Sequence, residues 1–326
     1  MITDKFNRVH DYLRISLTDN CDLRCFYCMP EEDYQFTPNQ QLMQADEIEA
    51  IAKAYVEEGV KKIRLTGGEP LVRKDFADIL NRLGNLKVEI TMTTNGTRLH
   101  EFVEVIKNSG IKSLNISLDT LQKDRFILMT KRDKQEQVMR NIQLMLDNGI
   151  NVKVNVVAMK GVNDEEIIDF VKWTKDTPVH IRFIEFMPFD RNKWNSDKVI
   201  TLQQILDKVS TQFEIEPLSR LPHETAKKFK VPGHAGTFAV ISTMTAPFCG
   251  DCNRIRLTAD GKMKNCLFSQ SETDILGAYR KGEDIKPLIY QNINEKKEAL
   301  GGQFTIDMEK IETTALHNRT MISIGG

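Results

Sequence analysis

Six cysteines are the residues in this sequence best placed to do chemistry. They fall into two trios with none left over: Cys21, Cys25 and Cys28 as C-x3-C-x2-C, and Cys249, Cys252 and Cys266 as C-x2-C-x13-C. Thiolates are soft ligands that suit zinc or iron–sulfur clusters, so spacing and ligand count must decide. A structural zinc ion wants four ligands. Neither trio has a further cysteine or histidine at zinc-finger spacing, and distant His223 or His234 would have to complete one. A zinc-stabilised binding module therefore stays open as the non-enzymatic alternative. The favoured reading is a 4Fe-4S cluster on each trio. An ordinary electron-transfer cluster is closed by four cysteines, so three would leave one iron open to a small molecule.

The chain that must position these thiols has 326 residues and a net charge of −1, from 45 Lys plus Arg against 46 Asp plus Glu. That balance provides no long-range cationic field to recruit nucleic acid or an anionic membrane. With 40% apolar and 28% charged residues, the composition is that of a globular protein. No apolar run approaches the roughly 18 residues of a membrane span. Residues 1–13 mix Asp4, Lys5, Arg8, His10 and Asp11 with single apolar residues and show neither a signal-peptide core nor a transit pattern. The expectation is a cytoplasmic protein, where clustered thiols bind metal or do redox chemistry more often than they form disulfides.

Six short β-favouring segments recur at 13–18, Lys62–Thr66, Glu89–Thr94, Ser113–Ser117, 152–158 and His180–Glu185, most of them separated by helical stretches. Segment 45–58 puts Ile48, Ile51, Ala52, Tyr55 and Val56 on one face and stops at Gly59. Such alternation implies βαβ units and a parallel sheet. Parallel strands covered by helices normally read as continuous apolar runs. These alternate instead. If Leu13, Ile15, Leu17 and their counterparts face the helices, then Arg14, Ser16, Arg64, Thr66, Thr91, Thr93, Asn115, Ser117, Lys153, Asn155 and Arg182 face inward. Six strands are too few for a full eight-stranded barrel, so the fold expected is α/β, an incomplete (β/α)6 TIM-type barrel with a polar, cationic lumen. The first trio follows the first strand, and Gly67-Gly68-Glu69-Pro70 follows the second. Both lie at strand C-terminal ends, where barrels carry their chemistry. Adjacent glycines would let a ligand approach the backbone.

Further along, 253–258 and 262–266 read as a hairpin around Ala259-Asp260-Gly261. The hairpin would bring Cys252 toward Cys266 and set Arg254 and Arg256 on one face. The interruption at Pro217 and Pro222 suggests a barrel domain over 1–217 and a smaller C-terminal cluster-binding domain over 218–326.

The first trio with Tyr27 before its last cysteine, together with Gly67-Gly68-Glu69-Pro70, resembles the radical S-adenosylmethionine (SAM) enzymes. The second trio within Phe248-Cys249-Gly250-Asp251-Cys252-Asn253-Arg254-Ile255-Arg256-Leu257, and the end Gly325-Gly326, make the chain similar to the GTP 3′,8-cyclase family of molybdenum cofactor biosynthesis. The resemblance implies two 4Fe-4S clusters, with Cys21, Cys25 and Cys28 holding the catalytic one and its open iron binding SAM. It implies that reductive cleavage of SAM gives a 5′-deoxyadenosyl radical, which takes hydrogen from C3′ of GTP. Attack of that carbon on C8 and a reduction then give 3′,8-cyclo-7,8-dihydro-GTP.

By the same resemblance Gly68 and Ser117 contact SAM, Met187 its adenine region and Tyr27 its backbone-bound part. The second cluster takes the guanine edge, Thr93 touches GTP, and the glycine tail reaches toward the site. The chain lacks the G-x-x-x-x-G-K-[ST] loop of nucleotide hydrolases. Arg14, Arg64 and Lys153 on separate strands could clamp the triphosphate instead, with Arg254 and Arg256 as further GTP ligands. An external electron donor and the next enzyme of the pathway are the partners implied, with the protein acting as a monomer or homodimer. Another radical SAM enzyme with an auxiliary cluster, such as a peptide-modifying one, is the enzymatic alternative.

Overall fold

The computed structural model describes residues 1–29, 34–304, 311 and 318–325. Six strands, β1 (Tyr12–Ser16), β2 (Lys62–Thr66), β3 (Glu89–Thr94), β4 (Ser113–Ser117), β5 (Asn151–Ala158) and β6 (His180–Glu185), pair in chain order and all in parallel. Their positions match the expected segments to within two residues at either end. β1 stops early because Thr18 turns its carbonyl to the Gly68 N–H, 2.7 Å away. The first helix, α1 (Ala45–Glu57), opens with a capping box in which the Gln44 N–H donates to Glu47 Oε2 at 2.7 Å. It buries Ile48, Ile51, Ala52 and Tyr55 against the sheet and ends at Gly59, whose φ of 106° needs a residue without a side chain.

Strands β7 (Glu216–Pro217), β8 (Lys227–Lys230), β9 (Thr237–Ile241), β10 (Arg254–Leu257), β11 (Lys262–Lys264) and β12 (Thr273–Asp274) complete one sheet in the order β12-β11-β10-β1-β2-β3-β4-β5-β6-β9-β8-β7. The C-terminal residues are thus divided between both edges. β10 runs parallel to β1, and β9 runs parallel to β6. The six parallel strands become eight, but β9 and β10 do not pair, so the arc stays open. Between β10 and β11 the expected hairpin forms, with Arg256 opposite Lys264 and Gly261 at a φ of 71°. The position after Pro217 falls between β7 and β8, which are hydrogen-bonded neighbours.

Outward side chains of the parallel strands, among them Leu13, Ile15, Ile63, Leu65, Leu114, Ile116, Val154, Ile181 and Phe183, join the helices in the main hydrophobic core. Each stabilises the fold by about 1.5–3 kcal/mol. That burial fixes the strands' rotation, and the alternating polar residues have only the lumen to enter. Among the described residues no helix is long and apolar enough to cross a membrane.

Candidate active site

The lumen is a chamber of about 570 Å³, lined among others by Tyr12, Arg14, Arg64, Thr93, Lys153, Arg182, Met187, Arg254 and Arg256. Strand register decides which cations meet. Arg14 pairs with Arg256 on one side and with Arg64 on the other, so three guanidiniums stand in one row across β10, β1 and β2. Like charges directly opposite are destabilising. Local acceptors relieve part of this. Arg64 donates to the Tyr12 hydroxyl and, at 3.2 Å, to Thr93 Oγ1. Arg182 donates to Asn155 Oδ1 at 2.5 Å.

The residual strain is visible in the acidities. Burial, reinforced by Arg256, holds Arg14 well below its ordinary value. Burial with Arg182 and Arg64 brings Lys153 to about 8, and burial with Arg64 brings Arg182 to about 9. Burial and Arg254 bring Arg256 to about 10. Every one of these shifts would be reversed by a polyanion in the chamber.

The second trio opens onto this chamber: Cys249, Cys252 and Cys266 all line it. Arg254 Nη2 donates to Cys252 Sγ at 3.2 Å, Lys296 Nζ to the same sulfur at 3.7 Å, and the Leu300 N–H to Cys249 Sγ at 3.5 Å. Burial opposes ionisation of Cys252, but Arg254 and Lys296 outweigh it and bring the thiol to about 6. The three sulfurs also feel one another, since Cys266 and Cys252 add to the burial that raises Cys249. Free thiols with N–H donors and cations at their sulfurs suit metal-bound thiolates. His223 Nδ1 meets the Asp251 carbonyl at 2.7 Å, and His234 Nδ1 meets Thr174 Oγ1 at 2.9 Å. Among the described residues no three His, Cys, Asp or Glu side chains converge as the ligands of a single ion.

The first trio lies at the C-terminal end of β1, in a loop pinned from several sides. The Arg24 and Phe26 N–H groups donate to the carbonyls of Thr130 and Met129, at 2.9 and 3.1 Å. Asn95 Nδ2 donates to Cys21 Sγ at 3.7 Å and to Asp22 Oδ1 at 2.7 Å. Gly68 brings the loop after β2 against this one. A Cβ on Gly68 would lie 2.4 Å from the Asn20 carbonyl oxygen, so the glycine first serves backbone-to-backbone contact. The fully buried Glu69 beside it accepts from the N–H groups of Leu71 and Asn95 and from Thr94 Oγ1, and burial lifts its pKa to about 7. Burial also raises all three thiols, Cys28 to about 12, with Asp119 or Glu69 adding to it. Such thiols ionise only against a strongly positive partner, which a metal centre provides.

The residues nominated from sequence are distributed as follows. Arg14, Arg64, Thr93, Lys153, Arg254, Arg256 and Met187 share the chamber with the second trio, Met187 packing near Cys249 and Cys266. Tyr27, Gly68, Ser117 and the first trio are not among its lining residues. They flank it at strand ends: Ser117 stands beside Asn155 in register, and Cys25 and Cys28 pack into a cluster with the chamber residue Val157. The Tyr27 ring is buried, and its hydroxyl donates to Asp119 Oδ2 at 2.5 Å and also bears on Cys25. Gly325 packs on the side chains of Ser16 and Thr66, paired at the ends of β1 and β2, where a Cβ would lie 2.3 Å from Thr66 Oγ1, and its carbonyl accepts from Arg256 at 2.9 Å. Gly326 lies outside the described residues.

Two family models cover most of the chain: the radical SAM superfamily matches residues 15–174, and Molybdenum Cofactor Synthesis C matches 179–301. Over its whole length the chain is 46% identical to the mitochondrial GTP 3′,8-cyclase of Arabidopsis thaliana, covering 84% of that protein. This chain belongs to the GTP 3′,8-cyclase family of radical SAM enzymes. It is also 40% identical to the GTP 3′,8-cyclase of Listeria monocytogenes, over 91% of each chain. Identity to human molybdenum cofactor biosynthesis protein 1 is 43% over 99% of this chain, which spans 51% of that longer protein. Streptococcus suis SuiB shares the fold at a TM-score of 0.60 with 16% identity, over 91% of this chain and 68% of SuiB.

Several residues of this GTP 3′,8-cyclase family member escape sequence reasoning. Arg182 was visible as an inward residue but not singled out as a ligand. Tyr12 and Asp119 have partners that only the tertiary structure supplies. Lys296 reaches the second trio from 44 residues away, and no motif marks it.

Proposed function

We propose that this chain converts GTP to 3′,8-cyclo-7,8-dihydro-GTP, the first step of molybdenum cofactor biosynthesis. The observation that carries the reading is the chamber, where a buried guanidinium row and a thiol trio face one space large enough for a nucleotide. Use of SAM and an iron–sulfur centre follows from membership of the radical SAM superfamily. A centre on each trio, two in all, is part of the proposal and rests on the six free thiols and their sulfur-facing donors. When bound, SAM on a reduced cluster supplies the 5′-deoxyadenosyl radical.

The chain supplies position and exclusion of water. Arg14, Arg64, Lys153 and Arg182 neutralise a triphosphate without the loop that nucleotide hydrolases use, so GTP is held rather than cleaved. Thr93 adds a hydroxyl contact. Arg254 and Arg256 set the guanine end toward the second trio. Gly68, Ser117 and the Tyr27 backbone form the SAM side, next to Cys21, Cys25 and Cys28, and Met187 meets the adenine region from the chamber. The division of labour is then 1–217 for SAM and 218–326 for the second centre and guanine. The reading includes an external electron donor, delivery of product to the next enzyme of the pathway, and a cytoplasmic location.

Anaerobic reconstitution with iron and sulfide, followed by SAM, dithionite and GTP, tests it. The expected result is 5′-deoxyadenosine together with a cyclised product isomeric with GTP. Formation of 5′-deoxyadenosine with no GTP-derived product would remove GTP as the substrate.

A further inference from the structure

The N-terminal segment carries no motif, yet it is tied to the second trio across 241 residues of sequence. Arg8 Nη1 donates to the carbonyls of Cys249 and Glu298, at 2.8 and 2.7 Å, and Nη2 donates to that of Lys297 at 3.0 Å. Its Nε is held by Asp4 Oδ2 at 2.7 Å, while Asp4 Oδ1 accepts from the N–H groups of Phe6 and Arg8. His10 Nε2 lies 3.0 Å from the same carboxylate. All three side chains are buried. One guanidinium therefore joins two segments: the turn that begins the second trio, and residues 297–298.

The segment around 297–298 also supplies donors to the sulfurs, through Lys296 Nζ to Cys252 and the Leu300 N–H to Cys249. Lys296 also donates to the Arg254 carbonyl at 3.2 Å, and its charge is felt at His10, which burial and that ammonium bring down to about 4. A rigid fork spanning three carbonyls is something a lysine cannot reproduce. We propose that Arg8, held by Asp4, is a positioning residue for the metal centre of the second trio, fixing the donors of Lys296 and Leu300 against Cys252 and Cys249. The inference rests on the reading that this trio carries a cluster. Hydrogen bonds to sulfur and nearby positive charge raise a cluster's reduction potential, and groups that orient ligands govern metal retention.

The test compares the reconstituted wild type with Arg8→Lys, Arg8→Ala, Asp4→Asn and Lys296→Met. It reads iron per chain, loss of iron to a chelator, the midpoint potential of each centre by EPR-monitored titration, and 5′-deoxyadenosine formation. Arg8→Lys and Lys296→Met are expected to lower the second centre's midpoint, and Asp4→Asn to do so less. Arg8→Ala should weaken retention of that centre by about 10–100-fold. The first centre's midpoint and 5′-deoxyadenosine formation should stay at wild-type levels throughout. Unchanged second-centre values in Arg8→Lys and Asp4→Asn, or equal shifts at both centres, would overturn the assignment. A wild-type chain that takes up one centre only defeats the two-cluster reading, and this inference with it.

Discussion

The first cysteine trio is enclosed by apolar side chains and by the carboxylates of Asp119, Glu69 and Asp22, which all act on its thiols, whereas the second faces Arg254 and Lys296. Both offer three sulfurs. Their electrostatic settings are opposite, and reduction potential follows net charge and hydrogen bonding at sulfur. The first setting disfavours an added electron and the second favours it. Ligand count therefore leaves half of each site unspecified, and the surrounding charges supply the rest.

The largest expected effect separates the trios by function. Cys28→Ser should abolish both 5′-deoxyadenosine and cyclised product, while Cys252→Ser should keep the first and lower the second by about 10³-fold or more, beyond the loss typical of groups that merely orient ligands. Loss of both products in each variant would erase the distinction. Alkylation of the metal-free protein sharpens it further. Thiolate forms as pH rises through the pKa, so Cys252, near 6, is largely ionised at pH 7 while Cys28, near 12, is not. After allowance for the weaker nucleophilicity of a low-pKa thiolate, Cys252 should react about 10²-fold faster, as peptide mapping by mass spectrometry would show.

On the cationic side, Arg256→Ala should cost about 10–100-fold in kcat/KM for GTP, the worth of a charge-assisted contact, and spare reductive SAM cleavage. Equal losses in both activities would place Arg256 elsewhere. Gly325→Ala should push the tail out of its crevice beside Thr66, leave iron content unchanged and slow cyclisation by about tenfold, by misplacing a positioned element. Unaltered turnover would make the tail a passive end.

The smallest effect concerns the anionic wall. Burial raises Asp119 from 3.8 to about 6, so between those values the native state keeps a proton that the unfolded chain has lost. Stability from this group therefore falls as pH rises across that window. Asp119→Asn should flatten the slope and cost about 1 kcal/mol at most through its altered bond to Tyr27, read from urea midpoints at pH 4.5 and 6.5.

Much of this site was legible because its signals are local. Alternation in Lys62–Thr66 or Asn151–Ala158 is a property of one strand, and it correctly placed Arg64 and Lys153 in the lumen. The hairpin around Gly261 was equally local. Gly68 was legible as a motif but not in its reason, since the obstacle to a side chain there is the Asn20 backbone from another loop. Strand β9 and the edge pairing of β10 with β1 were not foreseen, because parallel pairing joins segments whose separation no turn signal spans. Asp119, Lys296 and Arg8 went unseen for the same cause: each is an ordinary charged residue until its partner is known.

By itself the sequence determined the two thiol trios, the rotation of the six strands β1 to β6 and the family, since spacing and period are written into consecutive residues. Only the tertiary structure decided that Arg256, Arg14 and Arg64 stand in one row, that Gly325 lies among them, and that the two trios sit in opposite fields. The physical reason is range. A strand's faces are set by bonds between neighbours, but the charge beside a buried group depends on which distant segments must come together to bury the apolar faces.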